Sequence, residues 1–256
     1  MDKNGISSFL MDRVRRVTEI NLETGKVNWS AVGIGDPSLE LNGETIDKQD
    51  AYGAMIAQID TAKGAVFGAS IDTPNLQVLA SQRGATIEVG SEDKMIESEY
   101  FDVVKVVDGK ATLTYTPKEA PPYVYAINSD QTQGDEYEVG LEDANAKIEG
   151  NVVTLPEGFT ATQVGVYYKY ETADAVKLTD NSDTFGTAAK YLIQMYVRDI
   201  CTDAKRVGVL IFPKAKLDNN VTIDLTTEGS HPISLTAQKE YCADESNLYY
   251  WVWATK

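Results

Sequence analysis

From residue 103 to the end of the chain, short runs of Val, Ile, Thr and Tyr alternate with clusters of Gly, Asn, Asp and Pro, the pattern of half-buried strands joined by tight turns. Residues 111–116, 123–127, 137–141, 152–155 and 164–170 read as strands, separated by turns at Asp108-Gly109, Pro121-Pro122, Gly134-Asp135, Gly150-Asn151 and Glu157-Gly158. This block is expected to form a small sandwich or barrel of its own, inserted into a larger domain. A polar stretch, 172–187, leads out of it. In the last third, Ile193, Met195 and Val197 alternate with Gln194, Tyr196 and Arg198, which predicts a half-buried strand. Residues 207–212 are apolar throughout and Pro213 follows, as expected of a central strand that the proline stops. Residues 221–225, 233–241 and 248–254 complete a predicted meander.

The first hundred residues are less regular. Phe9, Leu10, Val14 and Val17 have helical spacing, but 17–29 alternates, and Ile20, Leu22, Val27 and Trp29 flank a turn at Thr24-Gly25, so a hairpin is expected. The polar segment 33–52 carries the turn markers Asp36-Pro37 and Asn42-Gly43. Leu39, Leu41 and Ile46 are expected to form a short ribbon about Asn42-Gly43 that projects from the body. Residues 55–60 and 65–71 then read as a strand pair about Lys63-Gly64. One short helix is predicted after it, with Thr73 as cap, Pro74 in the first turn, Leu76, Leu79 and Ala80 as the apolar stripe and Gly84 as the stop. Its expected place is one end of a barrel or sandwich.

Composition narrows the function classes. With 256 residues and 43% hydrophobic side chains, the chain can bury a large β core or two modest ones. A formal charge of −16 repels nucleic acid and anionic lipid, so tight DNA binding and membrane association are not expected. The basic cluster Arg13, Arg15 and Arg16 reads as a solvated face that can also meet a partner's carboxylates. No apolar run reaches the roughly 18 residues that span a bilayer, and residues 1–10 lack the form of a secretory signal. A soluble protein made in a cytoplasm is expected, with Cys201 and Cys242, the only cysteines, as reduced, buried thiols rather than a bridge.

The chemistry of a reaction is hard to place. His231 is the only histidine and sits in a Gly229-Ser230-His231-Pro232 turn, so Ser-His-Asp and Cys-His catalysis would both rest on it. With Cys201 and Cys242 far away and no close-spaced pair, a zinc site is not expected. Paired acids for glycoside hydrolysis have no sequence signature beyond the surplus of carboxylates. The acidic stretch Asp130, Asp135, Glu136, Glu138, Glu142 and Asp143 and the loop Asp180, Asn181 and Asp183 do not follow the alternating oxygen pattern of a calcium loop, and read as solvated. Gly33-Ile34-Gly35 lacks the strand-loop-helix setting of a phosphate loop. Tyr167, Tyr168 and Tyr170, with Tyr249, Tyr250, Trp251 and Trp253, read chiefly as core and sheet surface; a sugar-stacking or docking face is the alternative. No catalytic, cofactor-binding or metal-binding residue is assigned.

The layout resembles bacteriophage virion proteins, and among them the tail tube proteins of long-tailed phages. The resemblance rests on an early β region with the long polar loop 33–52, on a strand pair followed by a helix ending Leu79-Ala80-Ser81-Gln82-Arg83-Gly84, and on the closing strands from Tyr191 through Phe212-Pro213 to Trp253. It implies a mainly β, antiparallel sandwich or barrel of tail-tube type (1–102 and 171–256) with an inserted immunoglobulin-like module (103–170). It implies a non-enzymatic virion subunit, assembled in the host cytoplasm into stacked hexameric rings. The partners would be other copies of the chain, sheath, terminator or baseplate proteins, and DNA passing through an acidic lumen without tight binding. A capsid decoration or cement protein and a β-sandwich carbohydrate-binding protein are the alternatives, with a glycosidase behind them.

Overall fold

The computed structural model describes residues 9–200, 203–227, 229–240 and 247–253, apart from the side chain of Asp199. It is mainly β and antiparallel, with one helix among the described residues. The chain opens with β1 (Phe9–Ile20), β2 (Val27–Ala31), β3 (Ile34–Gln49) and β4 (Met55–Ile71), then α1 (Leu76–Arg83) and β5 (Thr86–Val89). Seven strands follow: β6 (Ile96–Lys105), β7 (Lys110–Thr112), β8 (Tyr123–Ile127), β9 (Gln133–Glu138), β10 (Lys147–Glu149), β11 (Val152–Thr154) and β12 (Gln163–Thr172). The chain ends with β13 (Val176–Thr179), β14 (Ala189–Asp199), β15 (Lys205–Leu217), β16 (His231–Ala237) and β17 (Tyr250–Trp253). Contacts divide it into two compact units, residues 1–87 with 178–256, and residues 88–177.

The first unit is built on one sheet in the order β2-β1-β14-β15-β16-β4-β3, with β17 also paired to β15. Its core collects Val17, Trp29, Phe67, Tyr191, Ile193, Leu210, Phe212 and Leu235, all nearly or fully buried, because the alternating residues of these strands face inward together. The expected first hairpin is present: Gly25 takes a positive φ of 67° in the turn, and the Asn21 side chain accepts from Glu23 N and Thr24 N. The helix is present too, but Asn75 caps it in place of Thr73, accepting from the amides of Gln77 and Val78. Its buried residues are Val78 and Gln82 rather than the stripe Leu76, Leu79 and Ala80; Leu76 is exposed. Gly84 ends it at φ 73°, where a Cβ would collide with the Phe185 backbone.

Four expectations change. The two turns at Asn42-Gly43 and Lys63-Gly64 do not exist: these residues face each other inside one long hairpin of β3 and β4, with Asn42 opposite Gly64 and Gly43 opposite Lys63. The chain turns instead at 50–54, where the Asp50 carboxylate accepts from Tyr52 N and Ala54 N. Asp36-Pro37 is a bulge in β3. Pro213 does not stop β15, since the register slips between Ala189 and Tyr191 of β14 and this bulge absorbs the missing N–H. No strand forms at 221–225, where Leu225 is exposed, and β17 returns to β15 beside β16 instead of extending a meander.

The second unit has two sheets, β6-β12-β8-β9 and β10-β11-β7, around a core of Leu113, Val124, Val153, Val164, Val166 and Tyr168. It begins at 88 and ends at 177, outside the 103 and 170 expected from the sequence, because β6 pairs with β12 along its full length from Ile96 to Lys105. Gly134-Asp135 lies within β9 instead of making a turn; the chain reverses at Asp130 and Gln131, the latter at φ 68°. Asp102 is buried in this unit and accepts from Thr114 N and the Tyr168 hydroxyl, while burial pushes the Tyr168 phenol up to about 12.

Candidate assembly surface

The residues with catalytic potential are engaged structurally. His231 is fully buried, its Nδ1 accepts from Asn75 N at 3.2 Å and its Nε2 donates to Gln82 Oε1 at 2.7 Å, so the neutral ring ties β16 to the start and end of α1. Burial lowers its pKa from the ordinary 6.5. The unfolded chain therefore takes up this proton first on acidification: the contribution to stability is complete above about pH 6.5 and is lost as pH falls toward the folded value. A melting temperature that declines from pH 7 to pH 5, and declines less in a His231→Gln variant, is the expected result.

Among the described residues, no group of three or more His, Cys, Asp and Glu side chains is arranged to hold a metal ion. Cys201 and Cys242 lie outside the described residues. The acidic stretch is dispersed: Asp130 accepts from Thr132, Glu136 and Glu138 stand on β9, and Asp143 pairs with Lys147. Gly33 and Gly35 sit at the entrance to β3, with no helix after them. The aromatic residues divide between the two units, with Tyr167 and Tyr250 exposed. Trp251 and Trp253 pack with Phe9 in the first unit, whereas Tyr168 and Tyr170 lie near Tyr115 in the second, where the Tyr115 and Tyr170 rings stack at 4.0 Å. Beside Tyr167 a hollow of about 320 Å³ is lined by Glu97, Lys118, Pro121 and Lys169, but its charges satisfy one another through Lys118–Glu97 and Lys118–Glu171 bridges of 2.8 and 2.6 Å.

The first unit offers surface of another kind. Beyond Ala65 the β3–β4 hairpin leaves the core, and every residue from 41 to 63 is exposed. Over about nine residues per strand it extends roughly 30 Å. Register divides this arm into two faces. Ile46 lies opposite Ile59 and Lys48 opposite Ala57 on one face; Thr45 lies opposite Asp60 and Asp47 opposite Gln58 on the other. The tip adds Tyr52, Met55 and Ile56, which are 95%, 61% and 68% exposed. Among the described residues nothing covers the side of this ribbon that carries Ile46 and Ile59, which leaves it an unfinished layer.

A second open surface lies on the outward side of β14, β15 and β17. Here Tyr196 is surrounded by cations, with Lys205 Nζ 4.1 Å and the Arg13 and Arg15 guanidinium carbons 5.8 Å from its ring centre. Lys205 also pairs with Asp12 at 3.0 Å, and that contact holds the Asp12 carboxyl below its ordinary value. Arg13, Arg15 and Arg16 form no salt bridge with the described side chains. The sequence cluster of three arginines is thus a solvated face, as expected, but one assembled around an aromatic ring from two neighbouring strands.

The sequence pointed to the polar loop and its projection, not to the exposed side on which Ile46 meets Ile59. A search of curated proteins returned no match. The model of the YomU/Tube protein family, by contrast, matches residues 54–251, a span that runs from the tip of the arm through both units to β17. With that span covering most of the 256 residues, the chain belongs to the YomU/Tube protein family and is a phage tube structural protein.

Proposed function

We propose that the chain is a tail tube subunit which closes into hexameric rings, and that the rings stack around a channel for DNA with the β3–β4 arm reaching from one ring to the next. The amphipathic arm carries this reading: it consists of well-paired strands, yet buries none of its side chains within its own molecule. An ordered ribbon with exposed Ile, Met and Tyr is a liability in a monomer and an interface in an assembly. The formal charge of −16 favours passage of DNA without adhesion. Sheath, terminator and baseplate proteins are the further partners, met after assembly in the host cytoplasm.

The unit from 88 to 177 is, in this reading, an inserted immunoglobulin-like module on the outside of the tube. Its second, sixth and fifth strands (β7, β11, β10) form one sheet, and its first, seventh, third and fourth (β6, β12, β8, β9) the other, a division close to that of immunoglobulin-like sandwiches. It holds 18 Asp and Glu against 7 Lys and Arg, so it carries most of the net charge and keeps assembled particles apart.

Mass measurement across a concentration series, with negative-stain images at the upper end, tests the assembly. Sixfold rings or tubes that grow with concentration are the expected outcome. A single mass equal to one chain at every concentration would overturn it.

A further inference from the structure

We infer that the apolar side of the arm docks on the outward face of β14, β15 and β17 in a second copy of the chain. The inference rests on the tube reading above, and names the surface that receives the arm. Residues 207–212 read in sequence as a strand buried on both sides. In the structure Gly208, Leu210 and Phe212 are buried in the core, while Val207, Val209 and Ile211 face outward, Val207 exposed and the other two half-buried. Their cross-strand neighbours extend the outward patch, with Leu192 opposite Ile211 on one flank, and Tyr250 opposite Ile211 and Val252 opposite Val209 on the other. Val207 and Val252 are 42% and 49% exposed.

This patch matches the arm in shape and in charge. It is a pleated sheet face, and a two-stranded ribbon with Ile46, Ile59 and Ala57 on one side is the thinnest layer able to pack on such a face. On the side that carries Ile46, Glu44 lies two residues inward and Lys48 two residues outward, while Asp47 and Asp60 stand on the opposite side; Glu44 has no salt bridge among the described side chains. The rim of the patch is basic, with Arg13 and Arg15 beside Tyr196 and Arg16 opposite Gln194. Joining the two brings Glu44 of one copy toward the arginine rim of the next, whose members have no salt-bridge partner among the described side chains, and excludes water from both apolar sides. Because arm and patch are different surfaces, the contact is head to tail: each copy gives an arm and receives one.

Two charge variants test this, Ile59→Lys on the arm and Val252→Glu on the patch, both at exposed positions where melting curves should match the unmodified chain. Each alone is expected to raise the concentration needed for assembly about 100-fold or more, since it places an unpaired charge in an apolar contact. Mixed in equal amounts, or combined in one chain, the two restore assembly, because a lysine arm now meets a glutamate patch. Assembly of either single variant at the ordinary concentration, or a mixture no better than its components, overturns the docking while leaving the tube reading intact if the unmodified chain assembles. An unmodified chain that stays monomeric overturns both.

Discussion

Removing residues 45–61 and joining Glu44 to Ala62 through an Asn-Gly turn leaves a folded subunit that no longer assembles. Stability is retained because none of the deleted side chains is buried, and Glu44 and Ala62 already face each other across the ribbon, where a two-residue turn closes antiparallel strands. A melting temperature within a few degrees of the full chain is the expected control. Assembly is lost because the deletion takes away Ile46, Tyr52, Met55, Ile56 and Ile59 together. If covering each contributes about 1 kcal/mol, a part of the value for complete burial of such a side chain, their sum of about 5 kcal/mol corresponds to more than a 1,000-fold change in association. Light scattering against concentration measures it. Equal assembly by the shortened chain would show that the arm is not the contact element.

The misreading of this arm shows where sequence patterns stop being informative. Asn-Gly and Lys-Gly between short apolar runs are turn signals because glycine permits a positive φ. Neither Gly43 nor Gly64 uses that freedom here; each lies in strand conformation opposite the other's neighbour, and two local turn preferences yield to the continuous ladder of a longer hairpin. Pro213 behaves similarly, tolerated within β15 by a bulge. By contrast, the Thr24-Gly25 hairpin, the strand at Ile193–Val197 and the helix before Gly84 were legible, because their signals concern local backbone geometry that nothing distant overrides. The projecting segment was legible, but the exposure of its apolar residues was not. An Ile in an alternating strand reads as core whether another layer lies above it or not, and only the three-dimensional arrangement distinguishes Ile46 and Val207 from Ile193.

The stability of the first unit depends strongly on a residue that the sequence does not mark. Glu19 lies on β1, is 3% exposed and accepts four hydrogen bonds: from Tyr191 at 2.7 Å and Trp29 Nε1 at 2.8 Å on one oxygen, and from Asn28 at 2.6 Å and Ser81 at 3.1 Å on the other. The carboxylate thereby joins β1, β2, β14 and α1, and it lifts the Tyr191 phenol further above a range already raised by burial. Replacement by alanine leaves the indole N–H and the phenol in the core without an acceptor, at about 1–3 kcal/mol each, and opens a cavity besides. The expected loss is about 3–5 kcal/mol, or roughly 10 °C in melting temperature for a unit of this size. Glu19→Gln keeps the volume and one acceptor oxygen, so its loss is smaller, and Tyr191→Phe, which removes one donor and strands none, is milder still. That order, read from denaturant titrations, separates a hydrogen-bonded hub from a merely space-filling residue; equal losses for alanine and glutamine would contradict it. Because Glu19 touches neither the arm nor the outward face of β14 and β15, the alanine variant should assemble at the ordinary concentration once cooled to where it is fully folded. Failure there would mean that the core of the sheet also sets the geometry of the contact between copies.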